Sequence, residues 1–135
     1  MVERRFPRDF SSLEQIYAFV REFLGERGID EAHAWDVDLI VEELFTNMVK
    51  YGGSDAQPIA LALDWKPPTL TLRLCDSSAV DFDPTLAPPP DTNRPITDRH
   101  AGGLGIHLVR QIADDITYVH DNGMSTITVT KRLAS

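Results

Sequence analysis

The sequence predicts a two-layer α/β sandwich: one mixed, mostly antiparallel sheet with its helices on a single face. Three observations predict it. Two runs within the first 51 residues repeat apolar residues at helical spacing. Four other segments alternate apolar and polar residues at the strand period. The resulting order is strand, two helices, two strands, long loop, helix, two strands. At 135 residues the chain reads as a single domain over 1–135, long enough to bury a core without staples.

VERRF is the short first strand. SSLE, Ser11 to Glu14, has the form of a capping box, and Leu13, Ile16, Tyr17, Val20 and Leu24 follow at helical spacing. Gly25 or Gly28 ends that helix. Asp30 is placed to cap a second helix, over residues 31 to about 51. PIALALDW and TLTLRLCD alternate on either side of Pro67–Pro68, which predicts a hairpin. Residues 84 to about 101 have no periodicity and hold five of the nine prolines. A loop of that length in so small a domain is functional or mobile. A third helix is expected over residues 104 to about 113. ITYVHD and STITVTKRL then flank Asn122–Gly123, a hairpin turn signal.

Composition bounds the function. A net charge of −8 argues against direct nucleic-acid binding, which needs a basic patch. It also requires any anionic ligand to be held by local donors. No apolar run approaches the ~20 residues of a membrane span, and MVERRFPRDF lacks the apolar segment of a signal peptide. The single cysteine, Cys75, cannot form an internal disulfide. The expectation is a cytoplasmic protein that does not enter membranes.

The second helix carries an apolar stripe of Val37, Ile40, Val41, Leu44, Met48 and Tyr51. At roughly 100° per residue, Asp36, Glu43, Asn47 and Lys50 fall on one shoulder of it. Polar boundary positions are common on amphipathic helices, so solvation is one reading of Glu43 and Asn47. Asn, however, is a poor helix-interior residue, and beside the core it hints at a bound partner. A carboxylate and an amide oxygen one turn apart suit Mg²⁺, which prefers oxygen ligands and retains waters and phosphates. Gly102, Gly103 and Gly105 precede and open the third helix. Free N–H groups at a helix start form an anion site; a loop-to-helix turn that needs flexibility is the alternative. No P-loop or dinucleotide-binding fingerprint is present.

Taken in order, EELFTNMVKYGG, LCDSSAVDFDP, GGLGIHLVRQIADDITY and the closing TITVTKRL resemble the GHKL ATPase/kinase superfamily and its Bergerat ATP-binding fold. Within it the chain is most similar to the small anti-sigma serine-protein kinases of bacterial partner-switching systems. The resemblance implies that ATP and Mg²⁺ are bound, with Asn47 ligating the metal and Glu43 acting as general base toward a protein serine. Lys50 would reach phosphate, and Asp76 would accept a hydrogen bond from the adenine amino group. Gly102, Gly103, Leu104 and Gly105 would contact phosphates and hinge a lid over about 84–103. Ser125 and Thr126 fall near a family position that helps hold adenine. The family usually carries D-x-G-x-G after the strand, whereas this chain has Asp76-Ser77-Ser78-Ala79-Val80, with neither glycine.

The resemblance also implies partners: a STAS-type anti-anti-sigma protein as phosphoacceptor, a sigma factor or other regulatory protein as sequestered target, and a homodimer. A partner-binding module of the same fold that has lost nucleotide binding is the alternative, as is an ATP-binding regulator of a target that is not a sigma factor. The remaining residues are read as ordinary. His33, His100, His107 and His120 lack metal-ligand spacing. Cys75 is expected in the core, Trp35 and Trp65 are expected to pack, and Arg94, Arg99 and His100 are expected in a solvated loop.

Overall fold

The computed structural model describes residues 1–51, 57–77 and 108–133. The expected lid loop, Gly102 to Gly105 and the start of the third helix lie outside them. Within them β1 (Val2–Phe6), α1 (Leu13–Glu26), α2 (Ala34–Tyr51), β2 (Ile59–Lys66), β3 (Thr69–Ser77), β4 (Asp115–Asp121) and β5 (Met124–Arg132) follow in chain order. Residues 108–112 are helical. The sheet order is β1-β2-β3-β5-β4, and every neighbouring pair is antiparallel.

The helices lie on one face because that face carries most of the large apolar side chains of the strands. Leu61 pairs with Leu74 and Leu63 with Leu72 across β2 and β3, and Ile127 and Val129 extend the same rows through β5. These residues form one buried cluster with Ile16, Phe19, Val20, Phe23 and Leu24 of α1, and with Val37, Ile40, Leu44, Phe45 and Met48 of α2. Strand alternation explains the row, because residues two apart share a face.

The start of α1 differs from expectation. Ser11 and Ser12 belong to a 3-10 turn, Phe10–Ser12, whose cap is Asp9. The Asp9 carboxylate accepts from the Ser11 N–H at 3.0 Å. Ser12 precedes α1 but makes no side-chain cap; its hydroxyl donates to the Pro7 carbonyl at 2.8 Å. The 3-10 turn takes up Ser11, so Ser12 and not Ser11 precedes α1, and the box expected over Ser11 to Glu14 does not form.

Gly28, with φ 67°, ends α1 in the left-handed region. Its N–H donates to the Gly25 carbonyl and that of Ile29 to the Leu24 carbonyl, the paired bonds of a Schellman motif. Asp30 accepts from the Ala32 N–H at 2.9 Å and caps a 3-10 turn, Glu31–His33, that leads into α2. Asn122 and Gly123 both have positive φ, 52° and 74°, as a two-residue type I′ hairpin requires.

Two packing expectations are corrected. Trp35 is 69% exposed, because it sits on the outer side of α2, away from the Val37–Ile40–Leu44 stripe. Cys75 is half-buried on the sheet face away from the helices, with its Sγ 3.5 Å from Thr126 Oγ1. Its neighbours Leu74 and Asp76 take the core face. Trp65 does pack against the core. Among the described residues no helix is long and apolar enough to cross a membrane.

Candidate functional site

The apolar rows of the sheet end in polar residues at one edge of the core. On β3 the buried positions are Leu70, Leu72, Leu74 and then Asp76. On β5 they are Val129, Ile127 and then Ser125. Asp76 and Ser125 are register partners, so both side chains lie on the face that meets the helices. Asp76 is only 2% exposed. An ionised carboxylate so buried is costly unless it is paired.

The partner is Arg8, from the connection between β1 and α1. Its Nη2 donates to Asp76 Oδ1, and its Nη1 donates to the Met48 carbonyl at 3.1 Å. Met48 O is one of the last four carbonyls of α2, which have no partner inside the helix. A cation there also complements the negative end of the helix dipole. One guanidinium thus ties the end of β3 to the last turn of α2, and Asn47 lies in that same turn.

Asn47 is 4% exposed, deeper than a boundary position. Glu43, one turn earlier, is half-buried. Burial, followed by the charge of Glu42, pushes its carboxyl above the ordinary glutamate range, and Lys50 opposes this. Lys50 itself is exposed in the last turn. Asp36 is not part of this group: it lies 4.0 Å from Lys131, about 16 Å down the helix from Asn47 at ~1.5 Å per residue.

On the neighbouring side of Glu43, Glu42 lies beside the Tyr17 hydroxyl. Burial and the charges of Glu42, Asp38 and Glu43 push that hydroxyl up to about 12. Asp38 is also raised, chiefly by burial and against the opposing Arg21, whose Nη1 donates to it at 2.7 Å. The solvent side of the α1–α2 seam is therefore acidic, and Glu43 stands at its border with the buried polar group.

Ser125 Oγ is 2.9 Å from His120 Nδ1 and 3.3 Å from the Tyr118 hydroxyl. Strand alternation turns the Thr126 side chain to the opposite face from Asp76, beside Cys75. The structure therefore brings Asn47, Asp76 and Ser125 to one end of the core, with Glu43 one turn away and Lys50 at the surface. The glycines and Leu104 lie outside the described residues. Arg8 was not singled out in the sequence. A charged residue on an otherwise leucine-lined strand face signals that some cation must meet it, but nothing in FPRDF marks which one.

The donor set suits Mg²⁺ with a polyphosphate. Among the described residues no three His, Cys, Asp or Glu gather as a metal cage, and none is needed by an ion that keeps waters and takes phosphate oxygens. Asn47 offers a neutral hard oxygen, and Asp76 offers carboxylate acceptors for an amine donor. A separate cavity of about 560 Å³, lined by Ile29, His33, Trp65, Pro67, Pro68 and Leu133 among others, lies at the other end of β3. Seven residues at ~3.4 Å each put it about 24 Å from Asp76.

The family described as the Histidine kinase-like ATPase domain matches residues 6–131. The serine-protein kinase RsbW of Bacillus cereus is 30% identical over 101 residues, covering 71% of this chain and 62% of the relative. The chain therefore matches less than two thirds of that relative's length. Among solved structures, one holding the RsbU and RsbW domains of a Mycobacterium tuberculosis protein covers 98% of this chain and 31% of its own, at 17% identity and a TM-score of 0.69. The SiaB–SiaC complex of Pseudomonas aeruginosa covers 96% of this chain and 88% of its own, at 12% identity and a TM-score of 0.63. Both structures share this fold.

Proposed function

Because the chain belongs to the Histidine kinase-like ATPase domain family, we propose that it is an ATP-binding serine-protein kinase that doubles as an anti-sigma factor. The observation that carries the reading is the buried polar end of the core. Asp76, Asn47 and Ser125 are all nearly inaccessible, where leucines would have served packing alone. The names of the RsbW relatives support the kinase chemistry.

In this reading Asp76 accepts from the adenine amino group, with Ser125 beside it. Asn47 would hold Mg²⁺, which supplies charge neutralisation on the phosphates when bound. Lys50 reaches toward phosphate from the surface. Glu43 takes the proton of the acceptor serine as that oxygen bonds to the γ-phosphorus and the β–γ bridging oxygen leaves with ADP. Its raised carboxyl suits a proton acceptor, because a base closer to neutrality transfers protons more effectively. Positioning and charge do most of such work.

The phosphoacceptor is a STAS-type anti-anti-sigma protein. Phosphorylation adds nearly two negative charges to it, and this acidic chain then releases it to hold a sigma factor or other regulatory target. A homodimer and a cytoplasmic location complete the proposal. Calorimetric titration with ATP and Mg²⁺, followed by phosphate transfer to candidate STAS proteins, tests it. A folded protein that transfers no phosphate to any of them refutes the catalytic half. One observation favours a second reading, a partner-binding module without nucleotide: Asp76 already has a buried cationic partner within the chain. Absence of ATP binding would select it.

A further inference from the structure

Arg8 is held where an arginine seldom sits, with its side chain only 7% exposed. Its backbone is clamped on both sides. The Asp9 N–H donates to the Pro7 carbonyl at 2.8 Å, the Ser12 hydroxyl donates to the same carbonyl, and Asp9 caps the turn that follows. The side chain is thereby directed inward, against the usual preference of arginine to keep its head in water.

Stability alone does not account for the pair. Replacing a buried ion pair by well-packed apolar residues is often neutral or stabilising, and Leu70, Leu72 and Leu74 show what this strand face accepts. What the pair adds is orientation. The planar guanidinium spans two acceptors, Asp76 Oδ1 and the Met48 carbonyl, so the carboxylate is fixed relative to the turn that carries Asn47. A carboxylate has about four lone-pair sites. With Oδ1 held by Arg8, Oδ2 is left in a set direction, an acceptor to which no side chain among the described residues donates.

We propose that Arg8 is a positioning residue for nucleobase selection: it holds Asp76 so that the second carboxylate oxygen accepts from a purine 6-amino group and rejects a 6-carbonyl. This rests on the reading above that Asp76 meets the base. The discrimination comes from geometry, because a carboxylate free to rotate can turn its oxygens away from an opposing carbonyl. A fixed one leaves two acceptors facing each other without a hydrogen, and unpaired buried polar groups are what site selectivity is built from.

The experiment is calorimetric titration of the full chain with ATP and with ITP, each with Mg²⁺. It compares the wild type, Asp76→Asn, Arg8→Gln and Arg8→Lys, each checked for cooperative thermal unfolding. ATP is expected to bind at least roughly tenfold more tightly than ITP to the wild type. That ratio should fall to within about threefold in Arg8→Gln and take an intermediate value in Arg8→Lys. A folded Arg8→Gln that keeps the wild-type ratio, whatever its absolute affinity, overturns the inference. If Asp76→Asn loses the ratio in the same experiment, the reading of Asp76 stands without it. A wild type that binds neither nucleotide, or an Asp76→Asn that keeps the ratio, overturns both. Should Arg8→Gln fail to fold, Arg8→Lys decides: a lowered ratio supports the inference and an unchanged one overturns it.

Discussion

Asp76 and Ser125 stand directly opposite each other across β3 and β5, both buried, at the end of rows otherwise made of Leu, Ile and Val. The next pair inward is Leu74 with Ile127. The sheet thus changes from apolar to polar within one residue pair, on the face that carries the helices. Thr126, one residue on, is on the other side. This contrast separates two substitutions that look alike in sequence. Ser125→Ala is expected to cost about 1 kcal/mol of stability, since His120 and Tyr118 lose their shared partner, and to weaken ATP binding. Thr126→Ala is expected to leave ATP binding unchanged. Urea titration and calorimetry on the two variants check this.

The Arg8–Asp76 pair predicts strong non-additivity. Asp76→Leu alone leaves the guanidinium buried without its carboxylate and should cost about 3–5 kcal/mol. Adding Arg8→Met should recover most of that loss, since the double variant continues the leucine row. Urea unfolding of the two singles and the double measures the coupling. Simple additivity would show that the pair is not buried as described.

Glu43 predicts a pH dependence of defined sign. If Glu43 is the base of the proposed function, its ionised form takes the serine proton, so phosphate transfer should rise with pH through a midpoint above the ordinary glutamate value of about 4.3, because burial and Glu42 raise it. Lys50→Met removes the opposing influence and should move the midpoint further up. A pH–rate profile on the two proteins reads both effects.

The same shift makes Glu43 a cost to folding. Its folded-state pKa is raised, so its favourable contribution is complete below the unfolded value and is lost as pH rises through the folded one. Glu43→Gln is therefore expected to hold or raise the unfolding temperature at pH 7 while reducing transfer by about 10²–10⁴-fold. A variant that loses stability along with activity would contradict this.

In the proposed function Asn47 supplies an oxygen to Mg²⁺. Asn47→Ala is expected to abolish the Mg²⁺ dependence of ATP affinity, which titrations with and without EDTA would show. An ATP affinity that still responds to Mg²⁺ would remove Asn47 from the metal site.

Much of the fold was legible because it is written in local chemistry. The period-two runs of β2, β3 and β5 needed only the alternation of Leu, Ile and Val. Gly28 and the Asn122–Gly123 turn needed only the rarity of positive φ in other residues. Asp30 was recognised as a cap because its carboxylate reaches the N–H two residues on. The capping box failed for the complementary reason: a 3-10 turn capped by Asp9 takes up Ser11, which sequence spacing does not reveal. Cys75 and Trp35 failed likewise, since their apolar character says nothing about which face a strand or helix turns inward.

The sequence by itself determined the order of the described elements and the turns at Gly28 and Asn122–Gly123, because propensity, alternation and capping act over a few residues. Only the tertiary structure decided which groups share a site. Arg8 and Asp76 are 68 residues apart, and their meeting depends on β1 and β3 flanking β2 and on α2 ending above them. Asp76 and Ser125 face one another because the register of β3 and β5 places them so, and a slip of one residue would have put Thr126 there instead. Burial then makes these pairings matter, since a charge removed from water must find its partner wherever the packing brings one.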